Sequence, residues 1–434
     1  METHKTLMST EFLRYSRIRS MITFSNIRIR RTSLWGFADQ ALLSLTNFIM
    51  MVLLARQLGP QAFGSFTIAY AVLLFANNIQ GALFTQPHNV LAASLNPRDY
   101  SIYTSATALL QFAFSIVAGL FIAAVAWLST MTNYGFGAVL LSVSATIVTW
   151  QSQEFLRRVF YTQGDFFAAF TTDLVTYGGQ LIGVLILWRL DSLNATSAIA
   201  TVAVSAACGS AVAIWRLRGI LAWNFTLKEF RTIQLENWRF SRWLLLTVLA
   251  TWLSIQLYPL LAAGLVGVAA AGGLRAARTL AAPATILVSA IDTTATSRAA
   301  RIYHQQGSNA LQLFIGKVRL GFGFILLVYL LVVALLAEPI VRLLMGATYT
   351  PYAWLVPVVA FSYAIRFLAS TSSLHLRSAG HSSPLFIAQA VSAIFVLTLG
   401  VLSVYLFGLA GVALGMVANS LIASTVAWHF ARKV

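Results

Sequence analysis

The sequence predicts an all-α membrane protein of about twelve transmembrane helices, divided six and six. Three observations carry that prediction. The chain is 59% hydrophobic and only 9% charged over 434 residues, with a mean hydropathy of +0.78, a composition far from that of a soluble domain of this length. Apolar runs of about 20 residues, enough for a helix to cross roughly 30 Å of hydrocarbon, recur along almost all of it. Finally, Lys and Arg are concentrated in alternate loops, as the positive-inside rule requires.

The first span, 33–54, follows a basic N-terminal arm over 1–32. In "LLARQLGPQAFGSF", Pro60 has no N–H to donate and Gly59 tolerates turn geometry, so a short hairpin leads into 64–86. Spans at 104–128, 136–156, 166–188 and 195–215 complete the first half. The longest polar interruption, "RLRGILAWNFTLKEFRTIQLENWRFSR", separates six spans from six; its Arg, Lys, Trp and Phe suit either an amphipathic segment on an anionic leaflet or a solvated linker. The second half holds 241–262, 270–294, 318–337, 352–372, 384–405 and 409–430. The expected divisions are an arm over 1–32, an N-lobe over 33–215, a cytoplasmic linker over 216–240 and a C-lobe over 241–434. A shift of 208 residues lays Trp35 on Trp243, Gly59 on Gly267 and Gly64 on Gly272, which points to an internal repeat.

The net charge of +17 takes its meaning from placement, and it predicts no nucleic-acid partner. With a cytoplasmic N-terminus, 23 of the 29 Lys and Arg fall in cytoplasmic segments, Arg157 and Arg158 among them. Arg56, Arg189 and Arg342 lie on the other face, and Arg275, Arg278 and Arg366 lie within spans. Both termini are therefore expected to be cytoplasmic. The N-terminal stretch lacks the short apolar region and small-residue cleavage site of a removable signal peptide. Cys208 is the single cysteine, so no intrachain disulfide is expected.

No phosphate-binding G-x-x-x-x-G-K-[ST] loop, H-E-x-x-H pair or metal-spaced His and Cys cluster occurs, so neither ATP hydrolysis nor a metal or other cofactor is expected. Chemistry is instead carried by charges inside the membrane, each costing about 2.5 to 3.5 kcal/mol at a helix centre and so expected to face protein or water. Arg275 and Arg278, three residues apart, share a helix face, and Asp292 returns to within about 40° of it some 21 Å away. Arg366 adds a third intramembrane guanidinium, a group that holds phosphate through a fork of donors and stays charged. The arginines are expected to line a water-accessible cavity for anionic cargo, with snorkelling to the headgroups the competing reading for Arg275. Asp39 and Asp173 each lie roughly 10 Å inside the boundary, where coupling to H+ or Na+ competes with a structural partner.

The stretches "LLARQLGPQAFGSFTIAYAVLLFANNIQGAL", "QLYPLLAAGLVGVAAAGGLRAARTLAAP", "LLMGATYTPYAWLVPVVA" and "FGLAGVALGMVANSLIAS", in this order over residues 30–430, resemble the Wzx-type polysaccharide flippases of the multidrug, oligosaccharidyl-lipid and polysaccharide exporter superfamily. The resemblance implies two six-helix bundles around a central cavity that opens alternately inward and outward. It implies as cargo an undecaprenyl-diphosphate-linked oligosaccharide moved from the cytoplasmic to the periplasmic leaflet of a bacterial inner membrane. A polysaccharide polymerase and a chain-length regulator are the implied partners beside membrane lipids. No enzymatic step is implied, and an ion-coupled drug exporter of the same superfamily is the alternative.

Overall fold

The computed structural model describes the backbone of residues 3–131, 137–222, 224–380 and 383–433. It describes side chains from Leu34 onward, except at Met131 and at several positions between 286 and 297, so Asp292 lies outside the described side chains. Among the described residues every regular element is helical. Among the described residues eight stretches are long and apolar enough to cross a membrane, and Leu34–Ser94 and Ser383–Ala431 are each long enough for two spans, divided by Gly59 and Gly408 at positive φ. Two further helices, Gly137–Gln163 and 268–306, bring the spans to twelve, and these two carry most of the charge described below. The protein is a multi-pass membrane protein.

In chain order the elements are α1 (34–58), α2 (60–91), α3 (Pro97–Met131), α4 (Gly137–Gln163), α5 (Phe166–Arg189), α6 (Ala195–Leu217), α7 (Leu227–Val266), α8 (268–306), α9 (308–335), the short α10 (Ala337–Met345), α11 (Leu355–Ser378), α12 (383–407) and α13 (409–431). An even number of spans brings residues 34 and 431 to one end, the terminal end; the Gly59 and Gly267 turns mark the other. Both turns have left-handed φ, +69° at Gly59 and +135° at Gly267, a region closed to most side chains.

The 208-residue offset seen in the sequence appears in space as a reciprocal contact. A Cβ on Gly64 would strike the backbone oxygen of Val268, and a Cβ on Gly272 would strike that of Pro60, which stands 208 positions before Val268. Each half thus offers the other the same glycine and the same carbonyl, as in a two-fold interface. Around this crossing Phe63, Phe66 and Tyr349 are fully buried, with Phe63 and Tyr349 edge to face at 6.4 Å. Arg56 adds a hydrogen bond of 2.9 Å from Nη1 to the Leu343 carbonyl. The lobes are therefore closed against each other at the Gly-turn end.

At the terminal end α7 ties the lobes together. Its start is fixed by a capping box in which the Thr226 N–H donates to Glu229 Oε2 (2.6 Å) and the Glu229 N–H donates to Thr226 Oγ1 (3.2 Å). One face then docks on α2 and α3: Ile233 packs with Ala92, Tyr103 and Ala106, Asn237 accepts from the Tyr103 hydroxyl, and Ser241 Oγ donates to the Leu83 carbonyl (3.3 Å). Higher up the same helix joins the second lobe, where Asn419 Nδ2 donates to the Ser254 carbonyl (2.8 Å). Most of the polar stretch 216–242 is thus not a free linker: from Leu227 it is continuous with the seventh span. Hydropathy marks only the part of a helix that crosses hydrocarbon, and a polar, well-capped extension escapes it.

Candidate functional site

Arg275 and Arg278 project from the first segment of α8, which ends where Pro283 interrupts the ladder. The Arg275 guanidinium lies 5.4 Å from the Tyr70 ring centroid and donates from Nη2 to Met51 Sδ (3.5 Å), both on the first lobe. Its buried Nε finds no partner. Arg278 Nη1 donates to Gln256 Oε1 of α7 (3.1 Å). Arg366 comes from α11, its guanidinium 6.0 Å from the ring of Tyr363, and Tyr363 lies in the electrostatic field of all three arginines. The three residues singled out from sequence are therefore gathered around one tyrosine. Among the described residues no carboxylate forms an ion pair with any of them; every such pair involves Arg157 or Arg158.

Arg366 is accessible although protein surrounds it, as a cavity wall requires. Together with Tyr363 it borders a cavity of ≈ 550 Å³ among α7, α8, α11, α12 and α13. The rest of the wall adds Arg377 and many hydroxyls and amides, and among the described residues it contains no acidic one. Guanidinium groups at a cavity, with no carboxylate paired to them among the described residues, have the chemistry to hold an anion.

The acidic residues form a separate cluster in the first lobe. Arg157 of α4 is buried and donates to both oxygens of Glu154 (2.6 and 2.7 Å from Nη2) and to Asp173 Oδ2 (3.3 Å); its Nη1 is 3.9 Å from Asp39 Oδ2. Tyr161 donates its hydroxyl to Asp39, and Gln153 Nε2 donates to Asp173 Oδ1 (2.8 Å). Asp39 and Asp173, chosen from sequence by depth, thus meet. Asp39 Oδ1 and Gln153 Oε1 remain buried without partners. Sequence reasoning missed Arg157, which it assigned to a cytoplasmic loop: α4 runs on to Gln163, well past the apolar window. The i, i+3 spacing of Glu154 and Arg157 was the available signal. Tyr70, stacked on Trp150 at 5.9 Å, lies in the field of both Arg275 and Glu154 and so stands between the two clusters.

Two closed lobes of six spans, tied by one helix and meeting over a charged interior, define a class of transporter fold, and solved structures share it. An inward-facing multidrug resistance MATE family transporter of the MOP superfamily is similar at TM-score 0.74 and 14% identity, over 92% of this chain and 97% of that one. An outward-facing MATE transporter is similar at 0.61 and 16% identity, over 93% and 94%. A MOP superfamily transporter from Pyrococcus furiosus, described as having a binding pocket of reverse polarity, is similar at 0.62 and 15% identity, over 93% and 94%. At these identities the likeness is one of fold. Residues 53–354 match the family described as polysaccharide biosynthesis protein, and the chain belongs to that family. No curated protein matches the chain.

Proposed function

We propose that this protein is a flippase of the Wzx type, carrying an undecaprenyl-diphosphate-linked oligosaccharide from the cytoplasmic to the periplasmic leaflet of a bacterial inner membrane for lipopolysaccharide or exopolysaccharide biosynthesis. The observation that carries this reading is the grouping of Arg275, Arg278 and Arg366 near Tyr363, with no carboxylate paired to them among the described residues, and with Arg366 and Tyr363 bordering a cavity. A diphosphate cannot enter hydrocarbon without a large desolvation cost, and forked donors in a wet interior replace its hydration. Membership of a polysaccharide biosynthesis family supports a glycan as the rest of the cargo.

Transport on this reading is alternating access without bond making or breaking, so the protein is not an enzyme. The charge bias supports cytoplasmic termini, which makes the Gly-turn end periplasmic and the closed contact of Gly64 with Gly272 the outer gate. Asp39 and Asp173 are the residues to which H+ or Na+ coupling falls, and a polymerase with its chain-length regulator would draw product away. The drug-exporter reading is favoured by one feature, the acidic cluster of Asp39, Glu154 and Asp173. Arg157 already occupies the middle of that cluster, and cationic cargo would meet Arg275 and Arg278 nearby.

The test measures the leaflet and amount of lipid-linked oligosaccharide in cells with and without the protein, and dye efflux in the same cells. Accumulation on the cytoplasmic leaflet with unchanged efflux supports the flippase. Normal lipid-linked sugars with altered efflux overturn it in favour of the exporter.

A further inference from the structure

We propose that Tyr70 determines specificity at the gate: its ring holds Arg275 on the first lobe, so that the Gly-turn end opens only when an anion draws the guanidinium away. The proposal rests on the anionic-cargo part of the flippase reading.

Arg275 belongs to the second lobe, yet its guanidinium reaches across the seam, to the Tyr70 ring of α2 at 5.4 Å and to Met51 Sδ of α1 at 3.5 Å. Tyr70 itself stays with the first lobe, because it stacks on Phe66 (5.6 Å) and on Trp150 (5.9 Å). The close approach of Gly64 and Gly272 is within two helical turns on both helices, so Arg275 and Tyr70 meet just inside the closed end. The lobes cannot part there without separating them.

The first lobe gives this cation poor partners. A thioether sulfur is a weak acceptor, a ring face has no lone pair to offer, and the Arg275 Nε–H is buried with no partner. Arg278, three residues on, adds like-charge repulsion on the same helix face. An anion between the two guanidiniums would remove these costs, since charge-assisted bonds to phosphate are forked and roughly twice as strong as neutral ones. Because Nε is enclosed in the shut form, an anion held at Arg278 and Arg366 gains that donor only after Arg275 has left the ring. Ring and anion are therefore exclusive partners for one guanidinium: the first keeps it on the first lobe, the second keeps it on the second. The 208-residue offset places Tyr70 and Arg278 at equivalent positions, so one lobe presents a ring where the other presents a cation. A ligand shifts a conformational equilibrium only by its differential affinity, and here the difference is the set of bonds to Arg275 that the shut form denies. Neutral or cationic cargo makes no such bonds and leaves the gate shut.

The test uses the full-length protein in nanodiscs on a Cys208→Ser background, with spin labels at Gln61→Cys and Leu343→Cys, two exposed positions, one in each lobe at the Gly-turn end. Inorganic pyrophosphate should lengthen the distance between the labels, and the cation tetraphenylphosphonium should not. Tyr70→Leu should raise the ratio of open to shut protein about three- to thirtyfold with no anion present, the worth of a desolvated cation–π contact. By reciprocity it should tighten pyrophosphate binding by up to the same factor. Tyr70→Phe keeps the ring face and should behave as the wild type. Trifluorophenylalanine at that position keeps the shape of Phe but drains negative charge from the face, and it should shift both readings toward those of Tyr70→Leu even if the Leu variant folds poorly. A trifluorinated protein that behaves like Tyr70→Phe would show that only packing matters at this position and overturn the proposal. So would an opened gate with unchanged pyrophosphate affinity, or equal opening by tetraphenylphosphonium. If pyrophosphate binds none of these proteins while Tyr70→Leu and the fluorinated ring still open the gate, the anionic-cargo reading falls and the hold of Tyr70 on Arg275 stands.

Discussion

Arg157 is the hub of the first lobe: one buried guanidinium engages Glu154 and Asp173 directly and approaches Asp39. Without it three carboxylates would face each other away from water, with only Arg158 at the edge. Arg157→Ala is expected to cost about 3 to 5 kcal/mol, read as a lowered unfolding temperature of the purified protein. Arg157→Lys should recover little, because an ammonium cannot reproduce the fork. If the cluster couples transport to an ion, Asp39→Asn should abolish export at normal protein levels and remove its dependence on pH or Na+; unchanged export across both would count against coupling. In the second lobe, Arg278→Ala should reduce polysaccharide export at least tenfold while the protein remains inserted, and full export would sink the anion site. The residue types at both sites were legible in the sequence, since charges within spans stand out. Their companions were not. Arg366 and Arg278 belong to helices 88 positions apart in sequence, and only packing shows that one tyrosine serves both. Arg157 was hidden because a hydropathy window stops where the hydrocarbon does, whereas its helix continues to Gln163.

At the scale of elements, the crossing of α2 over α8 depends on two positions having no side chain. Gly64→Ala should place a methyl group against the Val268 carbonyl and force the helices apart, disfavouring this closed arrangement by about 1 to 3 kcal/mol. Increased labelling of cysteines introduced near Tyr349 would register the shift, and Gly272→Ala should act alike because its contact is the mirror of the first. This symmetry was faintly visible as a few Gly and Trp matches at a fixed offset. What the matches could not supply was that the repeated glycines touch across the lobes. Turn chemistry at Gly59 was readable for a local reason, since Pro60 removes a donor and the φ of +69° needs glycine.

For the molecule as a whole, the two seams between the lobes should behave differently. On a Cys208→Ser background, Phe63→Cys with Tyr349→Cys, bridged by a short bismaleimide, should hold the Gly-turn end shut and stop transport. Leu83→Cys with Ser241→Cys, bridged in the same way, should leave transport intact, because α7 is already fastened to the first lobe at that point. Export in membrane vesicles before and after bridging checks both outcomes. The sixfold division and the number of spans followed from apolar run length and loop charge. The role of the stretch between them did not, because a segment with Arg, Lys, Trp and Phe reads equally as surface and as solvent-facing helix until its buried face of Ile233, Asn237 and Ser241 is seen.

The continuity of α7 has a mechanical meaning. A loop between lobes can pay out slack; a helix, bonded turn to turn along its backbone, bends but does not lengthen. Bound to one lobe by its lower half and to the other by its upper half, it works like the spine of a stiffly bound book. Such covers part widest at the edge away from the binding, and for the lipid-linked cargo proposed above that edge would be the flank from which a long apolar tail trails into the bilayer while its head turns over inside.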